Sequence, residues 1–142
     1  MFLGTHTPKL DEKGRFFLPA KFRDELDDGL VITRGQDRCL AIYPTETFVE
    51  TTREIAKGSV SVKKVRDYQR MLAAGASDTA ADKQGRVMVP PMLRRYAGLG
   101  KEIVIVGAIT RIEIWDAARW EEYSTAQEAD FAQMNEEVFA DE

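Results

Sequence analysis

The residues of this chain best suited to chemistry are two arginines, Arg15 and Arg86, which occupy the same place in a repeated nine-residue pattern. The pattern is Asp-x-x-Gly-Arg-x-x-x-Pro, and it runs from Asp11 to Pro19 and again, 71 residues later, from Asp82 to Pro90. A guanidinium group is a planar fork of donors that matches the paired acceptors O6 and N7 of guanine. Recognition of base edges in the DNA major groove is one chemistry open to such arginines.

The other residues of each motif predict a small, polar turn that projects from the fold. Asp suits the first position of a turn, and Gly can adopt a positive φ. Lysines around the turn are better suited to phosphates, which position a protein on DNA without reading its sequence. We expect Asp11 to orient the Arg15 guanidinium by a hydrogen bond. The candidate DNA-binding residues are Arg15, Lys13, Lys9, Gly14, Arg86 and Lys83, with Asp11, Asp82 and Gly85 as supporting residues.

A purely structural interpretation of the same motif stays open. Asp and Arg can form an ion pair across the base of the turn, while Gly is present only for its backbone geometry. The second motif also differs from the first, because Gln84 replaces the lysine that precedes glycine. DNA contact by Arg86 and Lys83 is therefore left open against a role in packing or assembly.

Catalysis finds little support in the sequence. Cys39 and His6 are a conceivable nucleophile and base, but Cys39 lies in an apolar run and aligns with Arg111 in the second repeat. The acidic pair Asp27-Asp28 has no partner acid or metal-binding histidine. One cysteine and one histidine also argue against an intramolecular disulfide and against the usual zinc sites. We expect neither enzymatic activity nor a cofactor or metal.

The charges of the chain are distributed unevenly. Residues 113–142 carry ten acidic residues and one basic residue, whereas residues 1–112 have a net charge of +5. A mildly basic body is compatible with binding to a polyanion, although the acidic tail is equally consistent with a helix that maintains solubility. No apolar run approaches the roughly 20 residues of a membrane span, and the start lacks the features of a signal peptide. A cytoplasmic location is expected.

The repeat extends well beyond the motif. With an offset of 72 residues, Val31-Ile32 aligns with Ile103-Val104, and Ile42-Tyr43 aligns with Ile114-Trp115. Each repeat is predicted to contain a tight hairpin, a short helix and two apolar strands; in the first repeat the hairpin strands are Thr7 to Leu10 and Arg15 to Leu18. Because units of roughly 45 residues rarely bury enough apolar surface alone, the two repeats should pack together.

The predicted organisation is two repeats with helices between and after them. The repeats span residues 5–47 and 76–119, a helical connector broken near Gly58-Ser59 spans residues 48–75, and an acidic amphipathic helical tail spans residues 120–142. The segment Lys63-Lys64, with Arg66 and Arg70, is more typical of a solvated helix face than of a phosphate site.

Several features together resemble the MraZ family of bacterial transcriptional regulators. They are the two Asp-x-x-Gly-Arg motifs, the start Met1-Phe2-x-Gly4, the segment Arg66-x-x-x-Arg70-x-x-x-x-Gly75-Ala76 and the ending Ile114-Trp115-Asp116. The resemblance covers nearly the whole chain. It implies an α+β fold with two tandem SpoVT/AbrB-type domains, that is, AbrB-like swapped-hairpin, double-split β-barrel halves packed together with accessory helices.

The resemblance also implies a function. It predicts a sequence-specific, DNA-binding repressor that acts on promoter repeats of the division and cell-wall gene cluster, its own promoter included. Its expected partners are double-stranded DNA with direct repeats and further copies of the chain in a ring, which would place it in the cytoplasm at the nucleoid. The alternatives are a ring or scaffold protein that does not bind DNA, and an antitoxin-like protein of the same hairpin class.

Overall fold

A computed structural model describes residues 1–134 and residue 138. The strands are β1 (Thr5–His6), β2 (Arg15–Phe17), β3 (Leu30–Arg34), β4 (Leu40–Pro44), β5 (Ser77–Thr79), β6 (Arg86–Met88), β7 (Ile103–Gly107) and β8 (Ile112–Asp116). The helices are α1 (Ala20–Arg23), α2 (Thr45–Ile55), α3 (Lys63–Gly75), α4 (Pro91–Ala97) and α5 (Ala117–Phe131), with short 3-10 turns at Asp24–Leu26 and Gln36–Arg38. The expected α+β class and the order of elements in each repeat are confirmed.

Prolines set the starts of three helices. Pro19 and Pro44 immediately precede α1 and α2, and Pro90-Pro91 opens α4, where the fixed φ of proline suits a first helical turn. Gly98 ends α4 in the left-handed conformation, with φ of 61°. The connector consists of α2 and α3, so the expected break near Gly58-Ser59 is confirmed.

The two repeats exchange strands. A six-stranded antiparallel sheet has the order β1-β7-β8-β4-β3-β5, so β1 of the first repeat pairs with β7 of the second, and β5 of the second pairs with β3 of the first. The remaining strands, β2 and β6, pair with each other in a separate antiparallel ribbon. The swapped arrangement is therefore confirmed, but neither motif is a local two-stranded hairpin, because both arms of each turn pair with the other repeat.

The strand expected at Thr7 to Leu10 is wrong in its position. The ladder with β7 ends at His6, and Lys9 forms only an isolated bridge with Glu102. Pro8 lies between these two pairings and has no backbone N–H to donate. The proline explains why the ladder does not continue through this segment.

The pairings reveal an internal two-fold symmetry. Ala41 pairs with Glu113, 72 residues away, and Phe16 pairs with Val87, 71 residues away, so equivalent residues face each other at the centres of two ladders. Val31 pairs with Tyr43 and Val104 pairs with Trp115, which is the equivalent of Tyr43, so Val31 is equivalent to Val104; both are 5% exposed. The predicted alignment of Val31-Ile32 with Ile103-Val104 is therefore wrong by one residue, because the second repeat has one more residue before this strand than that alignment assumes.

The repeats share one hydrophobic core. Phe16 and Leu18 from the first motif and Val87 and Val89 from the second are buried together with apolar residues of the large sheet. The ribbon of β2 and β6 thus covers the sheet with its inner face. This common core confirms that the two repeats pack together, and it fixes the outer face of the ribbon toward solvent.

The carboxyl-terminal tail is helical as far as Phe131, where α5 ends. Helix α5 begins directly after β8, and Trp120 packs edge-on against the buried Trp115, with ring centroids 5.3 Å apart. Residues 135–137 and 139–142 of the expected tail lie outside the described residues. No helix in the described part of the chain has both the length and the apolar character that a bilayer crossing demands.

Candidate nucleic-acid interface

The first motif is a turn built around the Asp11 carboxylate. One oxygen, Oδ1, accepts hydrogen bonds from the backbone N–H of Lys13 at 2.9 Å and of Arg15 at 2.8 Å. The Gly14 N–H donates to the Asp11 carbonyl at 3.0 Å, and Gly14 has φ of 79°. This closed turn explains the Asp and Gly of the motif, because the side chain satisfies backbone donors that the tight chain reversal leaves unpaired.

The second oxygen of Asp11 fixes the arginine. Arg15 Nε donates to Asp11 Oδ2 at 2.7 Å. The backbone hydrogen bond from Arg15 and then its side-chain hydrogen bond lower the pKa of Asp11, which keeps the carboxylate charged. Asp11 engages Nε and not the two Nη groups of Arg15, and 28% of the arginine side chain is exposed.

The second motif repeats this geometry. Asp82 Oδ1 accepts from the N–H groups of Gln84 and Arg86, both at 2.9 Å, and Arg86 Nε donates to Asp82 Oδ2 at 2.8 Å. The same backbone and side-chain bonds from Arg86 lower the pKa of Asp82. The ion pair of the structural interpretation is therefore present in both motifs, and it also holds each guanidinium in one orientation.

The two arginines lie on one exposed ribbon. Alternate residues of a strand face the same side, so Arg15 and Phe17 of β2 share the outer face with Arg86 and Met88 of β6, while Phe16 and Val87 point into the core. Arg15 lies opposite Met88, and Arg86 lies opposite Phe17. The arginines are thus diagonal neighbours, a relation that places Cα atoms about 7–8 Å apart.

The glycines serve an additional purpose that the sequence did not reveal. An alanine Cβ at position 14 would lie 2.5 Å from Arg94 Nη1, and one at position 85 would lie 2.8 Å from Arg23 Cζ. Each turn is therefore covered by an arginine of the other repeat, and Gly14 is buried beneath it. The Arg94 guanidinium therefore occupies the space next to Gly14 that a side chain at that position would need.

Arg23 and Arg94 extend the cationic surface. They align with each other at the 71-residue offset, in the short segment after each motif proline. That alignment was the signal for them, but sequence alone could not show that each reaches across to the other repeat. With Arg15 and Arg86 they bring four guanidinium groups to the two motif turns.

The lysines differ in their surroundings. Lys13 and Lys83 are exposed on the two turns, and within residues 1–134 and 138 neither has a carboxylate within 4.0 Å. Lys9 lies 3.6 Å from a Glu102 oxygen, and both side chains are about three-fifths exposed. An exposed pair of this kind is weak, so Lys9 remains able to exchange Glu102 for a phosphate.

The residues considered for catalysis do not form a reactive site. Burial of Cys39 raises the pKa of its thiol to about 12, so the reactive thiolate is scarce at neutral pH. His6 stacks edge-on against Phe22, with ring centroids 5.2 Å apart, and burial followed by Lys21 lowers its pKa. The cations of α3 are largely engaged, since Lys63 and Arg70 pair with Asp67 and Arg66 donates to the Val60 carbonyl.

The protein is thus a tandem-repeat α+β protein, whose two repeats exchange strands and share one core. Its arginine-bearing ribbon forms a symmetric cationic surface. A family model described as "MraZ protein, putative antitoxin-like" matches the chain twice, over residues 1–71 and 72–141. The chain therefore belongs to the MraZ family.

Curated relatives agree with this assignment. The chain is 88% identical to the transcriptional regulator MraZ of Cutibacterium acnes over 142 residues, which is the full length of both proteins. It is 54% identical to the proteins of the same name from Nocardioides sp. and Thermobifida fusca, over 96% and 97% of this chain and 94% and 96% of those proteins. These relatives are named as transcriptional regulators and not as enzymes.

Proposed function

We propose that this protein is a sequence-specific, DNA-binding transcriptional repressor that recognises promoter repeats of the division and cell-wall gene cluster, including its own promoter. The observation that carries the proposal is the outer face of the β2–β6 ribbon, where Asp11 and Asp82 orient two guanidinium forks. The names of the relatives support the regulatory part of the proposal.

A two-stranded ribbon suits the major groove, which is about 12 Å wide and admits either a helix or such a ribbon. Arg15 and Arg86 are proposed to donate to O6 and N7 of guanines, because Asp fixes Nε and leaves the outer nitrogens for the base. The internal two-fold axis passes between Phe16 and Val87 at the centre of the ribbon. The two arginines are therefore proposed to approach the groove as a symmetric pair and to contact bases on both DNA strands.

The cations at the two ends of the ribbon are proposed to contact phosphates. Lys13, Lys83 and Lys9 extend from the turns, and Arg23 and Arg94 lie over the glycines. Each turn carries one lysine, Lys13 in the first and Lys83 in the second, and the first turn also carries the acidic Glu12. We therefore propose that both arginines read bases and that each turn attaches to the phosphate backbone through its own lysine.

Assembly completes the proposal. A net charge of +5 over residues 1–112 is modest for tight binding by one subunit. A ring of identical subunits in head-to-tail contact would present equivalent ribbons in one orientation, which suits direct repeats, and linkage raises the effective concentration of each further contact. We propose such a ring at the nucleoid in the cytoplasm, with residues 5–47 and 76–119 as the repeat units of each subunit.

The test is a binding titration at fixed salt with the upstream region of the gene, carrying one to four of its repeats. Specific binding that tightens with repeat number supports the proposal, and a scrambled fragment of equal length supplies the control. Equal affinity for both fragments would reject sequence-specific recognition. Absence of DNA binding would favour one of the two alternatives, a scaffold or an antitoxin-like protein. A search for a stable complex with a toxin would then distinguish between them.

A further inference from the structure

Two large apolar side chains are exposed between the arginines of the ribbon. Phe17 is 53% exposed and Met88 is 49% exposed, although both belong to regular strands above the common core. Their strand neighbours Phe16 and Val87 are 1% and 0% exposed. The core therefore does not account for Phe17 and Met88, whose side chains face outward.

Each of these apolar residues is tied to an arginine by strand pairing. Phe17 lies directly opposite Arg86, and Met88 lies directly opposite Arg15. Directly opposite side chains have Cβ atoms about 4.5–5.5 Å apart. Any ligand that reaches both guanidinium groups must therefore also cover Phe17 and Met88.

Charge decides between the possible occupants of this face. The aromatic and thioether side chains lie beside Arg15 and Arg86, which are paired with Asp11 and Asp82, and the ends of the ribbon carry Arg23 and Arg94. Within residues 1–134 and 138, neither Arg23 nor Arg94 has a carboxylate within 4.0 Å. Another copy of the same face would bring these two uncompensated cations against their counterparts, which is unfavourable. A polyanion with apolar groups at a matching depth satisfies both the charges and the apolar surface.

We propose that Phe17 and Met88 are specificity residues that pack against the C5 methyl groups of thymines beside the guanines bound by the arginines. The inference rests on the proposed function. Among the groups that base pairs present in the major groove, the thymine methyl is the apolar one. Thymine at these positions would bury the exposed side chains, whereas cytosine would place its N4 amino group against them without a partner.

The test replaces thymine by uracil, which removes only the C5 methyl group. The upstream region is amplified with dTTP or with dUTP, and binding of each fragment is measured at one salt concentration. The wild-type protein should bind the thymine fragment at least about fourfold more tightly, the equivalent of one buried methyl group. Phe17→Ala and Met88→Ala should each reduce this ratio, and the double variant should bring it to one.

The controls are Phe131→Ala and Met71→Ala, which remove exposed side chains, 76% and 50% exposed, from helices away from the ribbon. Both should keep the wild-type ratio. A wild-type ratio of one with intact sequence specificity would overturn this inference while leaving the proposed function standing. If the wild-type protein bound the thymine fragment no more tightly than a scrambled thymine fragment, the proposed function itself would be rejected. A changed subunit number in Phe17→Ala, measured by sedimentation, would assign this face to assembly.

Discussion

Substitution of Gly14 by alanine tests the claim that each motif turn is covered by an arginine from the other repeat. The structure gives the substitution two separate costs. The first is backbone strain, because Gly14 has φ of 79°, and a left-handed conformation costs a residue with a Cβ about 1–2 kcal/mol. The second is displacement of Arg94, whose Nη1 would lie 2.5 Å from the new Cβ.

Gly98 provides the matched control. It also has a positive φ, 61°, but a Cβ there would meet nothing within 4 Å. Gly98→Ala should therefore cost only the backbone term of about 1–2 kcal/mol. Gly14→Ala should cost more than this, by the roughly 0.5–3 kcal/mol of interaction energy found for residues in contact.

The assay is urea unfolding followed by the fluorescence of the adjacent tryptophans Trp115 and Trp120, at one protein concentration because assembly contributes to stability. The Arg94→Ala background removes the guanidinium. In that background Gly14→Ala should cost about the same as Gly98→Ala. An unchanged cost of Gly14→Ala in the two backgrounds would refute the proposed packing of Arg94 on the turn.

Three further outcomes are expected. Asp11 and Asp82 have folded-state pKa values below the ordinary 3.8, so they stabilise the fold above that value, and this stabilisation is lost as pH falls through the lowered pKa. In urea titrations, the double variant Asp11→Asn/Asp82→Asn should therefore lose less stability than the wild type between about pH 5 and pH 2. Equal losses in the two proteins would contradict this. With its pKa raised to about 12, Cys39 should resist iodoacetamide at pH 8 until urea unfolds the chain, and rapid labelling of the native protein would show that the thiol is accessible. Lys13→Ala should weaken binding to all DNA and lower the salt slope by about one unit, whereas Lys9→Ala should lower it less because Glu102 already competes for that cation; a larger effect at Lys9 would reverse this order.

The sequence predicted the architecture well because the repeat is written into it. Apolar strands, prolines before helices and glycines at turns act locally, so short segments of sequence are enough to predict them. The pairing partners of the strands cannot be predicted from short segments. The strand Arg15–Phe17 could pair within its own repeat or with its counterpart, and only the common core formed by Phe16 and Val87 with the large sheet selects the second arrangement.

The site was predicted in part. Spacing within the motif was enough to anticipate the bond between Asp11 and Arg15, because residues four apart around a tight turn are brought together. Arg94 over Gly14 depends on contact between distant segments, and no local pattern specifies it. The exposure of Phe17 and Met88 follows from the same crossing of the repeats, since the pairing of β2 with β6 determines which faces are outward.

Base recognition by the ribbon is tested by the ratio of the affinities for repeat-containing and scrambled DNA, measured for Arg15→Ala at fixed salt. Loss of one bidentate guanine contact should reduce this ratio by about 5- to 150-fold. Arg53→Ala, an exposed arginine on α2, should leave the ratio unchanged. An equal loss of affinity of Arg15→Ala for both DNA fragments would contradict base recognition and would assign Arg15 to the phosphate backbone.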